Sequence, residues 1–217
     1  MAETARLTEE LVRANGAASL VERAGAAVMA PAGIPFRALF AGVTRRLGAA
    51  AGCTPLPPPE LVSSARPHWT LADWTRLWLV LRALEHVPAV DAPALVLRTF
   101  EGGELGEQES VLRTLTLLPE PPRFTETGVA ACRTNAKRVF EAIACDNPFP
   151  AAHFPDLAFN QMVMKAVFVE APVARIEGLA ARRTPELLRM ARDYASERRA
   201  ASRPVPSDVA LILGELS

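Results

Sequence analysis

Apolar residues recur along this chain at spacings of three and four, and proline or glycine interrupts the pattern at short intervals. That is the period of helices buried on one face. No segment sustains the period-two alternation of a half-buried strand, so an all-α fold is expected. Helices are predicted over 4–14, 17–29 and 36–50, after which Pro55, Pro57, Pro58 and Pro59 exclude regular hydrogen-bonded structure. Thr70 opens the best-signalled helix. Thr70 and Asp73 have the spacing of a capping box, and Leu71, Trp74, Trp78 and Leu81 line one face. Asp91 and Pro93 start another that runs to residue 100. A further helix over 107–118 carries Glu109 and Arg113 one turn apart, the arrangement of a surface ion pair. A longer helix is predicted over 124–144. Asn135 falls on its apolar seam, and Glu141 flanks it.

The chain is organised around residues 147–169. Pro148, Pro150 and Pro155 make the first part, 147–155, rigid and extended. The second part, from Asp156, is free of breakers and apolar nearly all round, the pattern of a helix buried on every side. It nevertheless carries Asn160, Gln161 and Lys165, which fall within roughly 140° of one another on a helical wheel. Buried amides and ammonium groups must find partners or cost several kcal/mol, on the order of the whole margin of a small domain. Thr184, Pro185 and Glu186 then start a helix by N-cap, first-turn proline and first-turn acid. Tyr194 and Arg198 lie on its inner face, while Arg189, Arg192, Asp193, Ser196, Glu197 and Arg199 lie on the outer one. A last short helix is predicted over 207–213.

The helices read as antiparallel pairs, which fits either a HEAT-like α-solenoid or a compact multi-helix bundle. Three sections are expected: an N-terminal helical section at 1–52, a proline-rich linker at 53–69 and the main helical domain at 70–217.

Composition narrows the function. Half of the 217 residues are hydrophobic, and 24 basic side chains balance 24 acidic ones. This excludes a disordered chain and argues against an electrostatic nucleic-acid binder, which shows a basic excess. The longest weakly charged runs are too short and too broken by proline to span a bilayer. Cys53, Cys132 and Cys145 are odd in number with no CxxC spacing, and the early acids Glu3, Glu9 and Glu10 do not fit a secretory signal. Reduced thiols in a cytoplasm are the expectation, with any membrane association running through a partner.

No recognised catalytic constellation is present. His68, His86 and His153 lack metal-ligand spacing, and there is no glycine-rich phosphate loop and no GxSxG elbow. No metal and no cofactor are expected. Trp69, Trp74 and Trp78 belong to the core or wall an apolar pocket. Cys145 and His153 carry no support as a nucleophilic pair. The candidates for a polar ligand pocket are Asn135, Glu141, Asn160, Gln161, Lys165, Tyr194 and Arg198. Two readings stay open. They form either a self-satisfied buried network that sets helix register or the lining of a site.

Several of these motifs coincide with one family. Arg133-Thr134-Asn135, Val139-Phe140-Glu141-Ala142, Asn147-Pro148-Phe149-Pro150, the run from Asn160 to Phe168, Ile176-Glu177-Gly178-Leu179, Pro185-Glu186-Leu187 and Asp193-Tyr194-Ala195 resemble the EboA-domain family. The resemblance covers about residues 74–208. The chain departs from the family pattern at Phe159, Ser196 and Arg199, where the family has Trp, His and Trp. The family is encoded in bacterial and cyanobacterial ebo-type operons, beside a UbiA-like membrane prenyltransferase and sugar- and cyclase-type enzymes. The resemblance implies a cytoplasmic accessory protein of secondary-metabolite synthesis or traffic. Such a protein would bind a polar or prenylated small-molecule intermediate or scaffold its synthesis and export. Two alternatives accompany it: an enzyme acting on a cyclitol or prenylated intermediate with Lys165 as base or anion clamp, and a protein–protein adaptor.

Overall fold

The computed structural model describes residues 2–31, 33–63, 65–66 and 68–215. Among them there are helices and turns and no strand, as the apolar period requires. The chain divides into two compact units, Met1–Gly128 and Val129–Ser217. The proline-rich stretch lies inside the first.

The first unit contains α1 (Ala2–Val12), α2 (Ala18–Arg23), α3 (Gly25–Met29), α4 (Ile34–Ala41), α5 (Val43–Leu47), α6 (Leu71–Leu84), α7 (Ala92–Glu101) and α8 (Leu105–Thr114). Its centre is α6, on which every residue but Arg82 is buried. The capping box is present: Thr70 Oγ1 accepts from the Asp73 N–H at 3.2 Å, and Asp73 Oδ2 accepts from the Thr70 N–H at 2.9 Å. Helices α1, α3, α5 and α8 all pack against α6. Because α1 reaches α6 although α2 to α5 intervene in sequence, this unit is a bundle around one helix. A solenoid would place each helix only against its neighbours in the chain. The three tryptophans are core residues. Trp69 and Trp74 meet edge to face at 5.3 Å, and Trp78 Nε1 donates to Glu9 Oε2 at 3.2 Å.

Helix α9 (Thr125–Ala131) leads into the second unit, which holds α10 (Lys137–Ala144), α11 (Phe149–His153), α12 (Asp156–Phe168), α13 (Pro185–Ala200) and α14 (Asp208–Leu213). Here α12 packs against α10 and α13, and α13 against α14. Thr184 caps α13 as expected, its Oγ1 accepting from the Leu187 N–H at 3.1 Å. The outer face of α13 is exposed at all six positions assigned to it. Gly178 turns the chain at φ 70°, where an added Cβ would lie 2.6 Å from Ala151 Cβ.

Several expectations are corrected. The segment over 124–144 is not one helix: it breaks at residues 132–136, so Asn135 leaves the seam and is exposed. The stretch 147–155 is not extended throughout. Asn147 is buried, and its Oδ1 accepts the Phe149 N–H at 3.0 Å while its Nδ2 donates to the Ala142 carbonyl at 2.9 Å. These bonds turn the chain into α11, with Pro150 in its first turn, where a missing N–H costs nothing. The segments over 17–29 and 36–50 are each divided, at Ala24 and at Gly42 and Gly48. The Glu109–Arg113 pair forms at 3.2 Å, but Glu109 is buried, so it is not a surface pair.

That buried pair belongs to a network on α6. Asp73 accepts from Ser110 Oγ at 2.6 Å and from Arg113 at 3.2 Å. Arg76 donates to Ser110 Oγ at 3.1 Å and to Thr44 Oγ1 at 3.0 Å. Removing one partner from such a set leaves an uncompensated charge and costs about 3–5 kcal/mol, against about 1 kcal/mol for an N-cap alone. Asp73→Ala is therefore expected to lower the urea midpoint several times more than Thr70→Ala. Tryptophan fluorescence reads this unit directly, since all three tryptophans lie in it. Equal losses for the two variants would reduce Asp73 to a capping residue.

Candidate functional site

The residues expected to form one polar site are dispersed over the second unit. Lys165 is half-buried. Its Nζ donates to the Cys132 carbonyl at 2.6 Å and the Thr134 carbonyl at 2.7 Å, and it lies 5.3 Å from the centre of the Phe140 ring. Those carbonyls lie at the break after α9, where a helix end leaves acceptors without intrahelical donors. A lysine from α12 supplies them. The contact explains how the chain can stop being helical there without stranding buried carbonyls.

Asn160 is 2% exposed and faces α13. Its Nδ2 donates to Thr184 Oγ1 at 2.9 Å, the same oxygen that caps α13, while its Oδ1 is enclosed with no hydrogen-bond partner among the described residues. Gln161 is exposed. With Lys165, Arg133 and Phe154 it lines a depression of about 120 Å³. Glu141 is half-buried and lies 3.9 Å from Lys137, so it pairs along its own helix and not with Lys165. Tyr194 and Arg198 line a different depression, of about 530 Å³, beside the exposed Phe168. Phe168 meets Tyr194 edge to face at 5.0 Å, and Arg198 Nε donates to the Pro204 carbonyl at 3.0 Å. The structure thus brings Gln161 and Lys165 together, and separately Tyr194 and Arg198. Asn135 joins neither group.

Two further cations do what Lys165 does, and sequence reasoning passed over both. Arg182 donates to the carbonyls of Ala151 at 2.5 Å and Phe154 at 2.7 Å, at the end of α11, and lies 4.7 Å over the Phe159 ring. Arg183 donates to the carbonyls of Leu211 at 2.8 Å and Ile212 at 3.0 Å, at the end of α14. The two thiols of the second unit offer no thiolate. Burial pushes Cys132 up to about 12 and Cys145 up to about 11, so neither is ionised near neutrality.

The first unit holds a cavity of about 340 Å³. Helix α4 supplies Phe36, Arg37, Ala38, Phe40 and Ala41; α7 and the turn after it supply Arg98, Thr99, Gly102 and Gly103; α8 supplies Glu107. The i,i+4 spacing puts Phe36 and Phe40 on one face, with ring centroids 6.0 Å apart. The turn is closely packed. A Cβ on Gly102 would lie 3.0 Å from an Arg37 guanidinium nitrogen, and one on Gly103 would lie 3.1 Å from Glu107 Cβ. Beneath the cavity sits the charged network of α6. The Arg76 guanidinium lies 5.7 Å from the centre of the Phe40 ring and is 5% exposed. Burial holds its pKa below the ordinary arginine value, opposed by the charges of Glu107, Asp73 and Glu109. Arg76 ties α4 to α8 through α6 and so fixes two walls of the cavity. A signal for this existed in the sequence: Asp73 and Arg76 interrupt an apolar helix one turn apart, as Gln161 and Lys165 do in α12.

The geometry assigns Lys165 a structural duty that can be measured. Lys165→Met leaves two carbonyls without their donor, a loss of about 1–3 kcal/mol. The expected outcome is a lower midpoint for the second unit by circular dichroism, with faster amide exchange around residues 133–137. Unchanged exchange in that segment would mean that the ammonium does not hold the break.

Residues 36–214 match a family model described as "Metabolite traffic protein EboA". No curated protein and no solved structure matches the chain. The matched span begins at Phe36, the first residue of the cavity wall in the first unit, and runs through α14. With nearly its whole length covered by that model, the chain belongs to the EboA family of metabolite traffic proteins.

Proposed function

We propose that this chain is an accessory binding protein that holds a small metabolite in the cavity between α4, α7 and α8 and passes it on without transforming it. The observation that carries this reading is the cavity itself. Its volume of about 340 Å³ is within the range of roughly 300–1,000 Å³ usual for small-molecule sites. It combines Ala38, Ala41 and the edges of the buried Phe36 and Phe40 with a few polar groups, and the buried charges of α6 hold Phe40 and face Glu107. A site set on helices whose side chains are locked by such bonds is pre-organised, which limits the ordering cost of binding.

The family description supports a role in traffic. In that role the ligand is an intermediate of a secondary-metabolite pathway, and the recipient is another pathway protein, such as a UbiA-like membrane prenyltransferase. Among the described residues no helix is long and apolar enough to cross a membrane. In this reading the protein works in the cytoplasm and any contact with a bilayer runs through such a partner.

The enzymatic alternative requires Lys165 to act as base or anion clamp. Its ammonium would first have to abandon the Cys132 and Thr134 carbonyls. An adaptor without a ligand would leave the cavity unused.

Native mass spectrometry of the protein isolated from its own host tests the proposal. A small-molecule adduct is expected on the wild-type chain. It should be absent from Ala41→Trp, which places a large side chain in the cavity from an exposed position at the end of α4. A wild-type chain that carries no adduct and shows no rise in melting temperature with host metabolite extract would overturn it.

A further inference from the structure

The rim of this cavity has an unbalanced charge. Several arginines of the first unit have acidic partners: Arg6 pairs with Glu3 and Glu10, Arg13 with Glu9, Arg82 with Glu85, Arg113 with Asp73 and Glu109, and Arg123 with Glu120. Arg37 and Arg98 do not. Both are exposed, both line the cavity, and among the described residues neither makes a hydrogen bond or an ion pair. They approach it from different helices, α4 and α7.

The acid that lines the cavity is already engaged. Glu107 is 8% exposed, its Oε2 accepts the Glu104 N–H at 3.1 Å, and its charge faces the buried guanidinium of Arg76. Glu107 therefore belongs to the network below, and the two guanidiniums above it are left to a partner from solution. Arginine presents a planar fork suited to carboxylate, sulfonate and phosphate oxygens. Between those arginines the α4 wall carries the exposed methyl groups of Ala38 and Ala41, backed by Phe36 and Phe40, which are 1% and 3% exposed.

We infer that the cavity takes a molecule with one anionic head and a compact apolar body. The head lies between Arg37 and Arg98, and the body lies against Ala38 and Ala41, with the edges of Phe36 and Phe40 behind them. This rests on the binding reading above and adds the class of ligand to it. The volume suits a body of a few rings and is too small for a long acyl chain. Because the rim is exposed, the electrostatic part of binding is screened by salt and the apolar part is not.

Two fluorescent probes separate these contributions. Anilinonaphthalene sulfonate and phenylnaphthylamine share the same three rings, and only the first has an anionic head. Titrated into the wild-type protein, the sulfonate is expected to bind about tenfold or more tightly than the neutral probe. Raising the salt concentration should narrow that gap. Arg37→Gln combined with Arg98→Gln should remove the gap and leave phenylnaphthylamine affinity and the melting temperature unchanged. Ala41→Trp should abolish binding of both probes. If wild type binds the two probes equally, or if the double variant still prefers the sulfonate, the anionic class is overturned while a small-molecule cavity stands. If neither probe binds the wild type, or if Ala41→Trp binds both as wild type does, the cavity is not the binding place and both readings fall.

Discussion

A charge on a helix that is buried all round must bring its counter-charge or its acceptors into the interior with it. This constraint organises the first unit. Helix α6 is enclosed by α1, α3, α5 and α8 and carries Asp73 and Arg76 inward. Neither can be solvated, so Ser110, Thr44 and Arg113 must be where they are. Hydrophobic burial alone would accept several rotations of α6. The charged pair accepts few, because a wrong one strands an ion at a cost that is a large share of the roughly 5–15 kcal/mol by which a domain is stable. Register and cavity are thus linked: the bonds that hold Arg76 also set α4 against α8.

The second unit meets the same constraint with a different device. Its cations are spent on main-chain carbonyls at helix ends: Lys165 after α9, Arg182 after α11 and Arg183 after α14. Each helix end exposes carbonyls without intrahelical donors, and a remote ammonium or guanidinium satisfies two at once with the helix dipole in its favour. The excess of arginine over lysine has a structural use here, since the planar fork reaches two acceptors together. The device also explains why Lys165 resembles a functional residue in one dimension. A lysine inside an apolar helix needs partners, and in three dimensions those partners are peptide groups.

For a protein of metabolite traffic the contrast between the units matters. Binding followed by release asks for a pocket whose walls do not need to be ordered by the ligand. In the cavity of the first unit, Phe40 packs against Arg76 and Glu107 accepts the Glu104 N–H, so these two walls are ordered without a ligand. In the depressions of the second unit Lys165 and Arg198 donate to main-chain carbonyls, and the unpartnered Asn160 Oδ1 is enclosed.

Much of the helical order was legible in one dimension. The starts at Thr70 and Thr184, the span of α12 and the exposed face of α13 follow from caps and from the 3.6-residue period, which act within a few residues of sequence. The break at 132–136 was not legible. It has no proline or glycine within it, and it is stabilised by Lys165, some thirty positions away. The local periodicity of the sequence determined an all-helical protein with charged residues trapped inside two of its helices. Whether those charges meet a guest or a peptide carbonyl, and which arginines stay unclaimed at the rim of a cavity, was decided only by the tertiary structure. Partners for a buried charge are chosen by proximity in space, which no spacing along the chain encodes.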